Sequence, residues 1–173
     1  HSIQPQTGWD AQKNTVIFTV TDESALSLVY VMDKAETRCY ELTKQENNRY
    51  ELILHINGEY TVIAMDEAGN SVSADFVVSH IDTEKPTVPI LSGSAQGWTN
   101  QNVTVQAVAD DTQSGIVRYW YSCDSNIFDA STWYPMEFNN GIGSITLTAE
   151  QDTDYFVVAE DGVGRISEVS TIH

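Results

Sequence analysis

A chain of 173 residues with 41% hydrophobic side chains is long enough for one mid-sized domain or two small ones, and too apolar to remain disordered. Its net charge of −17 is spread over both halves: residues 1–83 hold 13 acids against 5 bases, and residues 86–173 hold 11 against 2. This balance argues against nucleic-acid binding and against attraction to an anionic membrane, since both need Lys and Arg to displace counterions, and no apolar run approaches the roughly 18 residues of a spanning helix.

In chain order, short runs of β-branched and aromatic residues alternate with polar ones at period two. The first is Thr15 to Thr21, followed by runs near 26–32, 37–43, 49–56, 59–65 and 71–79. The pattern resumes with Thr104 to Val108 and continues near 116–122, 133–138, 143–149, 153–159 and 166–172. Turn residues separate the runs every 8 to 12 positions, and none holds a helical period over three turns. The predicted fold is all-β: two antiparallel sandwiches of about seven strands each.

The halves repeat each other. Gly8, Trp9, Asp22 and Tyr30 recur as Gly97, Trp98, Asp111 and Tyr119 at an offset of 89, while Tyr60, Val62, Ala64, Asp66 and Gly69 recur as Tyr155, Val157, Ala159, Asp161 and Gly164 at an offset of 95. The second copy therefore carries six extra residues, expected in a surface loop over 122–132, because loops absorb insertions and strands do not. The expected boundaries are 1–82 for the first domain, 83–89 for a linker and 90–173 for the second. A repeated unit of this length is architecture rather than chemistry, and the segment is expected to be a monomer within a longer chain.

Tyr60 and Tyr155 each open the penultimate strand of their copy, where immunoglobulin-like folds place a tyrosine corner. Asp66 and Asp161 then start hairpin turns whose glycines, Gly69 and Gly164, take positive φ.

Gly97-Trp98-Thr99-Asn100-Gln101-Asn102-Val103-Thr104-Val105, Asp111 with Ser114-Gly115-Ile116, Trp133, the closing hairpin from Tyr155 to Gly164 and the connector Ile81-Asp82-Thr83-Glu84-Lys85-Pro86 together resemble the bacterial immunoglobulin-like repeats of exported and cell-surface proteins. The first copy departs from that pattern: it lacks the Ser-Gly turn after Asp22 and any counterpart of Trp133. The resemblance implies an extracellular location, at the bacterial surface or secreted, and a non-catalytic spacer or adhesive role. The alternative is a carbohydrate-binding accessory module of a secreted polysaccharide-degrading enzyme. A host matrix protein or a polysaccharide is the partner either reading would entail.

Catalytic signatures are missing: there is no metalloprotease, nucleophile-elbow or phosphate-loop motif, and the histidines His1, His55, His80 and His173 are scattered. No catalytic residue or cofactor is assigned. The first copy could offer Lys13 or Lys34 with Asn70 for an intramolecular isopeptide bond, and Cys39 and Cys123 fall at unmatched positions that give one thiol per copy.

Two surface readings remain. Asp82, Glu84, Asp110, Asp111, Glu160 and Asp161 are expected at one end of the second copy and could supply the oxygen ligands of Ca²⁺; alternatively Asp111 and Asp161 cap their own turns. In Tyr119-Trp120-Tyr121, alternation from a core-facing Val117, Tyr119 and Tyr121 turns Arg118 and Trp120 outward. There they could bind a sugar ring or a protein partner, with Phe128, Trp133 and Tyr134 extending the surface, or Trp120 could pack beneath the inserted loop.

Overall fold

The computed structural model describes residues 2–22, 25–93, 97, 99–126, 129–148 and 152–173. The chain divides into two compact units, His1–Thr83 and Glu84–His173. Of residues 83–89, read from sequence as linker, Thr83 falls in the first unit and 84–89 in the second, where the Thr87 N–H donates to the Asp110 carbonyl at 2.9 Å and the Asp110 N–H to Thr87 Oγ1 at 2.8 Å.

The first unit contains β1 (Ser2–Pro5), β2 (Asn14–Thr19), β3 (Leu26–Asp33), β4 (Cys39–Glu41), β5 (Thr43–Lys44), β6 (Arg49–Leu54), β7 (Gly58–Asp66) and β8 (Ser71–Val78). They form two four-stranded sheets ordered β1-β2-β6-β5 and β4-β3-β7-β8, with every strand pair antiparallel. Alternation does the burying. Val16 and Phe18 on β2 and Leu52 and Leu54 on β6 turn inward from one sheet, and Val31, Tyr60, Val62 and Phe76 turn inward from the other. The Phe18 and Phe76 rings meet edge-on at 5.3 Å, and Tyr60 stacks on Phe76 at 5.5 Å. Each aliphatic or aromatic side chain buried in this way stabilises the sandwich by about 1.5–3 kcal/mol.

The second unit repeats the order. Its strands are β9 (Ile90–Ser92), β10 (Val103–Val108), β11 (Ile116–Ser122), β12 (Tyr134–Pro135), β13 (Glu137–Asn139), β14 (Ile142–Leu147), β15 (Tyr155–Asp161) and β16 (Ser170–Ile172), in sheets β13-β14-β10-β9 and β12-β11-β15-β16. Its core cluster gathers Ala107, Met136, Val157 and Ala159 around Tyr119, which is 0% exposed.

Among the described residues each sandwich has eight strands, in keeping with the expected number of about seven, and in both the strand expected after β3 or β11 breaks and changes sheet. The break falls at Leu42 in the first unit and at Met136 in the second, and both side chains pack on their core. The sequence pattern also passed over β1 and β9, which are short edge strands. The six-residue surplus lies in the loop before β12. Five residues, 34–38, join β3 to β4, whereas eleven, 123–133, join β11 to β12. Trp133 belongs to that loop, half-buried, with its indole N–H on the Asn126 carbonyl at 3.3 Å. Trp98 and Phe128 lie outside the described residues.

The tyrosine corner is present in the first unit, where the Tyr60 hydroxyl donates to the Ile56 carbonyl at 2.7 Å. Burial, with the neighbouring Tyr40 adding to it, pushes the Tyr60 phenol up to about 12. Among the described residues no helix is long and apolar enough to cross a membrane.

Candidate functional site

Two turns of the second unit hold the acids of interest. The β10–β11 loop carries Asp111, whose Oδ1 accepts from the N–H groups of Gln113 at 3.0 Å and Gly115 at 2.8 Å. Gly115 sits at φ 77°, the left-handed region that a side chain enters with strain, so the Ser114-Gly115 pair permits this tight wrap around the carboxylate. After β15, Asp161 caps its own turn in the same way, with Oδ1 accepting from Val163 N–H at 2.9 Å and Arg165 N–H at 2.8 Å. The turns are tied directly, because the Gly162 N–H donates to the Gly115 carbonyl at 3.0 Å and to Ser114 Oγ at 3.0 Å. A Cβ at position 162 would lie 2.8 Å from the Ser114 carbonyl oxygen, so the close approach also needs glycine.

This clasp brings carboxylate oxygens of Asp111 and Asp161 within 4.8 Å of each other. Asp161 is 1% exposed, and its Oδ2 is buried with no hydrogen-bond partner. The matching turn of the first unit is closed differently. Asp66 receives the Asn70 N–H on Oδ1 at 2.8 Å and the Asn70 side-chain amide on Oδ2 at 2.8 Å.

Asp82 is buried at the end of the first unit, with its N–H on the Asp10 carbonyl at 2.9 Å. Glu84 and Asp110 are exposed in the second unit. Glu160 points away from the turns: its Oε2 accepts the Trp120 indole N–H at 2.6 Å and lies 3.8 Å from Arg118 Nη1.

Arg118 and Trp120 do share a face, with the guanidinium 4.9 Å from the indole ring centre. Arg118 is exposed and Trp120 half-buried. Val117 departs from the expected alternation. A register shift between Ile116 and Arg118 leaves Val117 45% exposed and gives its core position to Ile116, whereas Tyr119 and Tyr121 pack inward as expected.

A feature the sequence reading missed is an open cleft of about 310 Å³ lined by Tyr121, Tyr134, Tyr155 and Cys123 from one side and Ile145 and Leu147 from the other. Burial, then the Cys123 thiol, raises the Tyr155 pKa above 10.0. The tyrosines sit on three different strands, so only pairing of β11 with β12 and β15 brings them together.

Among the described residues the scattered candidates stay apart. His55 Nδ1 donates to the Gln12 carbonyl, 2.9 Å away, His80 packs edge-on to Trp9 at 5.2 Å, and His173 lies 2.9 Å from Asp154 and 3.2 Å from Asp152, while His1 lies outside the described residues. Lys34 is 2.6 Å from Asp75, and the Asn70 amide is held by Asp66. Cys39 and Cys123 are free thiols.

No family model and no curated protein matches the chain. Solved structures match it in fold. Domains A168–A170 of titin align with a TM-score of 0.54 at 12% identity, over 95% of this chain and 60% of that one, which supports an immunoglobulin-like sandwich and says nothing of function. The fibronectin(III)-like modules of Clostridium thermocellum CbhA align over 98% of this chain and 91% of theirs at 14% identity and a TM-score of 0.39. The ectodomain of mouse nectin-like molecule 4 aligns over 99% and 62% at 10% identity and 0.43. The protein is an all-β chain of immunoglobulin-like sandwiches.

Proposed function

We propose that this chain is a non-catalytic segment of a secreted or surface-anchored bacterial protein, a tandem of immunoglobulin-like modules that acts as a spacer and presents an adhesive face. Repetition carries the reading: both units run through the same eight-strand order in the same two sheets, each with its own core. Duplicated scaffolds with separate cores supply length through the number of copies, whereas catalysis needs a nucleophile, base and orienting group gathered at one unrepeated place. Among the described residues the imidazoles of His55, His80 and His173 lie instead beside Gln12, Trp9 and the acids Asp152 and Asp154.

The adhesive face belongs to the second unit, which differs from the first in its longer β11–β12 loop. Trp120, oriented by Glu160 and covered on one side by Arg118, offers an aromatic surface of fixed geometry. The tyrosine-lined cleft favours the second reading, a carbohydrate-binding accessory module, because ring faces and hydroxyls together suit sugars. The test is binding of the intact chain to a panel of polysaccharides and host matrix proteins, repeated with Trp120→Ala and Tyr134→Ala. Saturable binding lost in either variant assigns the recognition surface, and a clean panel leaves the spacer role. Hydrolytic turnover of any polysaccharide by the purified chain would overturn the proposal.

A further inference from the structure

Acidic residues at turns are common without a ligand, and the backbone bonds to Oδ1 of Asp111 and Asp161 account for a capping role. They do not account for Asp161 Oδ2. That oxygen is buried in a residue only 1% exposed, and it has given up water without gaining a donor. The first unit provides an internal control. At the same point of the repeat, the Asn70 amide fills Asp66 Oδ2 at 2.8 Å, and the residue occupying that place in the second unit is Arg165. The second unit therefore lacks the amide that closes the turn in the first, while it has the same buried carboxylate.

We infer that the second unit binds a divalent, oxygen-preferring cation between Asp111 and Asp161, with Asp161 Oδ2 as a ligand, and that Ca²⁺ is the ion it fits. The pair offers only carboxylate oxygens, the ligands of hard cations. Ca²⁺ holds oxygens at 2.3–2.6 Å, so one ion spans two of them up to about 5 Å apart, which covers the 4.8 Å limit seen here. Mg²⁺, at about 2.0–2.1 Å, spans roughly 4.2 Å and demands a nearly ideal octahedron. The ion locks the β10–β11 loop to the turn after β15, two segments already held in contact through Gly162. This inference stands independently of the spacer reading.

The test is a titration of the intact, chelator-stripped chain with CaCl₂, followed by calorimetry and by thermal melting, with MgCl₂ and ionic-strength-matched KCl as comparators. The expected result is one Ca²⁺ per chain and, at about a hundred times Kd, a rise of roughly 10–20 °C in the second unit's melting temperature. Asp161→Asn and Asp111→Asn keep the Oδ1 acceptors and so retain the turns, but both lose the rise. Should one variant fail to fold, the other carries the same test. Absence of heat and of any shift at millimolar Ca²⁺ overturns the inference. So does a shift that persists in the Asn variants or is matched by KCl, because it reports screening of the acidic surface.

Discussion

Replacing Gly143 by alanine should destabilise the second unit through one identifiable collision. Gly143 lies mid-strand in β14, where alanine would ordinarily gain about 0.5–1 kcal/mol by restricting the unfolded chain. Here an added Cβ would stand 2.6 Å from Tyr119 Cδ2, 2.7 Å from Cγ and 2.9 Å from Cβ. The ring cannot slide away, because its hydroxyl accepts the Ala109 N–H at 2.7 Å and donates to the Gly141 carbonyl at 3.1 Å. Overpacking a pinned core costs about 1–3 kcal/mol, and a contact this short belongs at the upper end. The net loss is then about 2–2.5 kcal/mol, or roughly 8–20 °C in the melting temperature of a unit this size. Differential scanning calorimetry of the intact chain should show only the second unit's transition moving. Gly143→Ala combined with Tyr119→Leu should cost less than the sum of the two single changes. A neutral or stabilising Gly143→Ala, or strict additivity, would refute the packing argument.

Further predictions concern the first unit, the surface carboxylates and the thiols. Tyr60→Phe removes the bond to the Ile56 carbonyl and should cost the first unit about 1 kcal/mol, visible as a lowered urea midpoint with an unchanged slope. Asp10 is held below 3.8 by the Gln12 N–H, Asp33 by the Thr37 hydroxyl, Asp75 by Lys34 and Asp129 by the Ser131 hydroxyl. Their folded pKa values are depressed, so the stability they contribute is present above 3.8 and lost as pH falls through the folded values. Carboxyl NMR titrations should place all four midpoints below 3.8, and midpoints at or above it would contradict these contacts. Cys39 and Cys123 are both exposed, so two thiols per chain should react with a thiol reagent in the native protein. Fewer would mean that at least one is shielded.

Most of the scaffold could be read from alternation, because period two is a direct consequence of sheet geometry. The offsets of 89 and 95 located the loop insertion, since strands that pair cannot absorb residues without breaking register. The reading failed where local pattern is silent. β1 and β9 are only four and three residues long, too short to show a period. The bulge at Val117 cannot be seen without the partner strand that defines the shift, and the sheet change at Met136 depends on core packing that only the folded chain creates. Asn14 is a similar case: it is 0% exposed because its side chain exchanges two hydrogen bonds with the Gln6 backbone, a long-range pairing with no local signature.

The acidic turns were visible as a set, and their division was not. Asp111 and Asp161 share one place because Gly162 and Gly115 let two turns touch, whereas Glu160, one position before Asp161 on β15, faces the opposite side of its sheet and serves Trp120. At the offset of 95, Asn70 is matched by Arg165. The consequence of this difference emerged only when the Asn70 amide was found filling Asp66 Oδ2.

The most direct test of the spacer account is to stretch a single chain between its ends. Two separately folded sandwiches should give two unfolding peaks, each releasing on the order of 250–300 Å of chain at 3.3–3.6 Å per residue. A single peak releasing the whole chain, or extension without resisting force, would contradict the account.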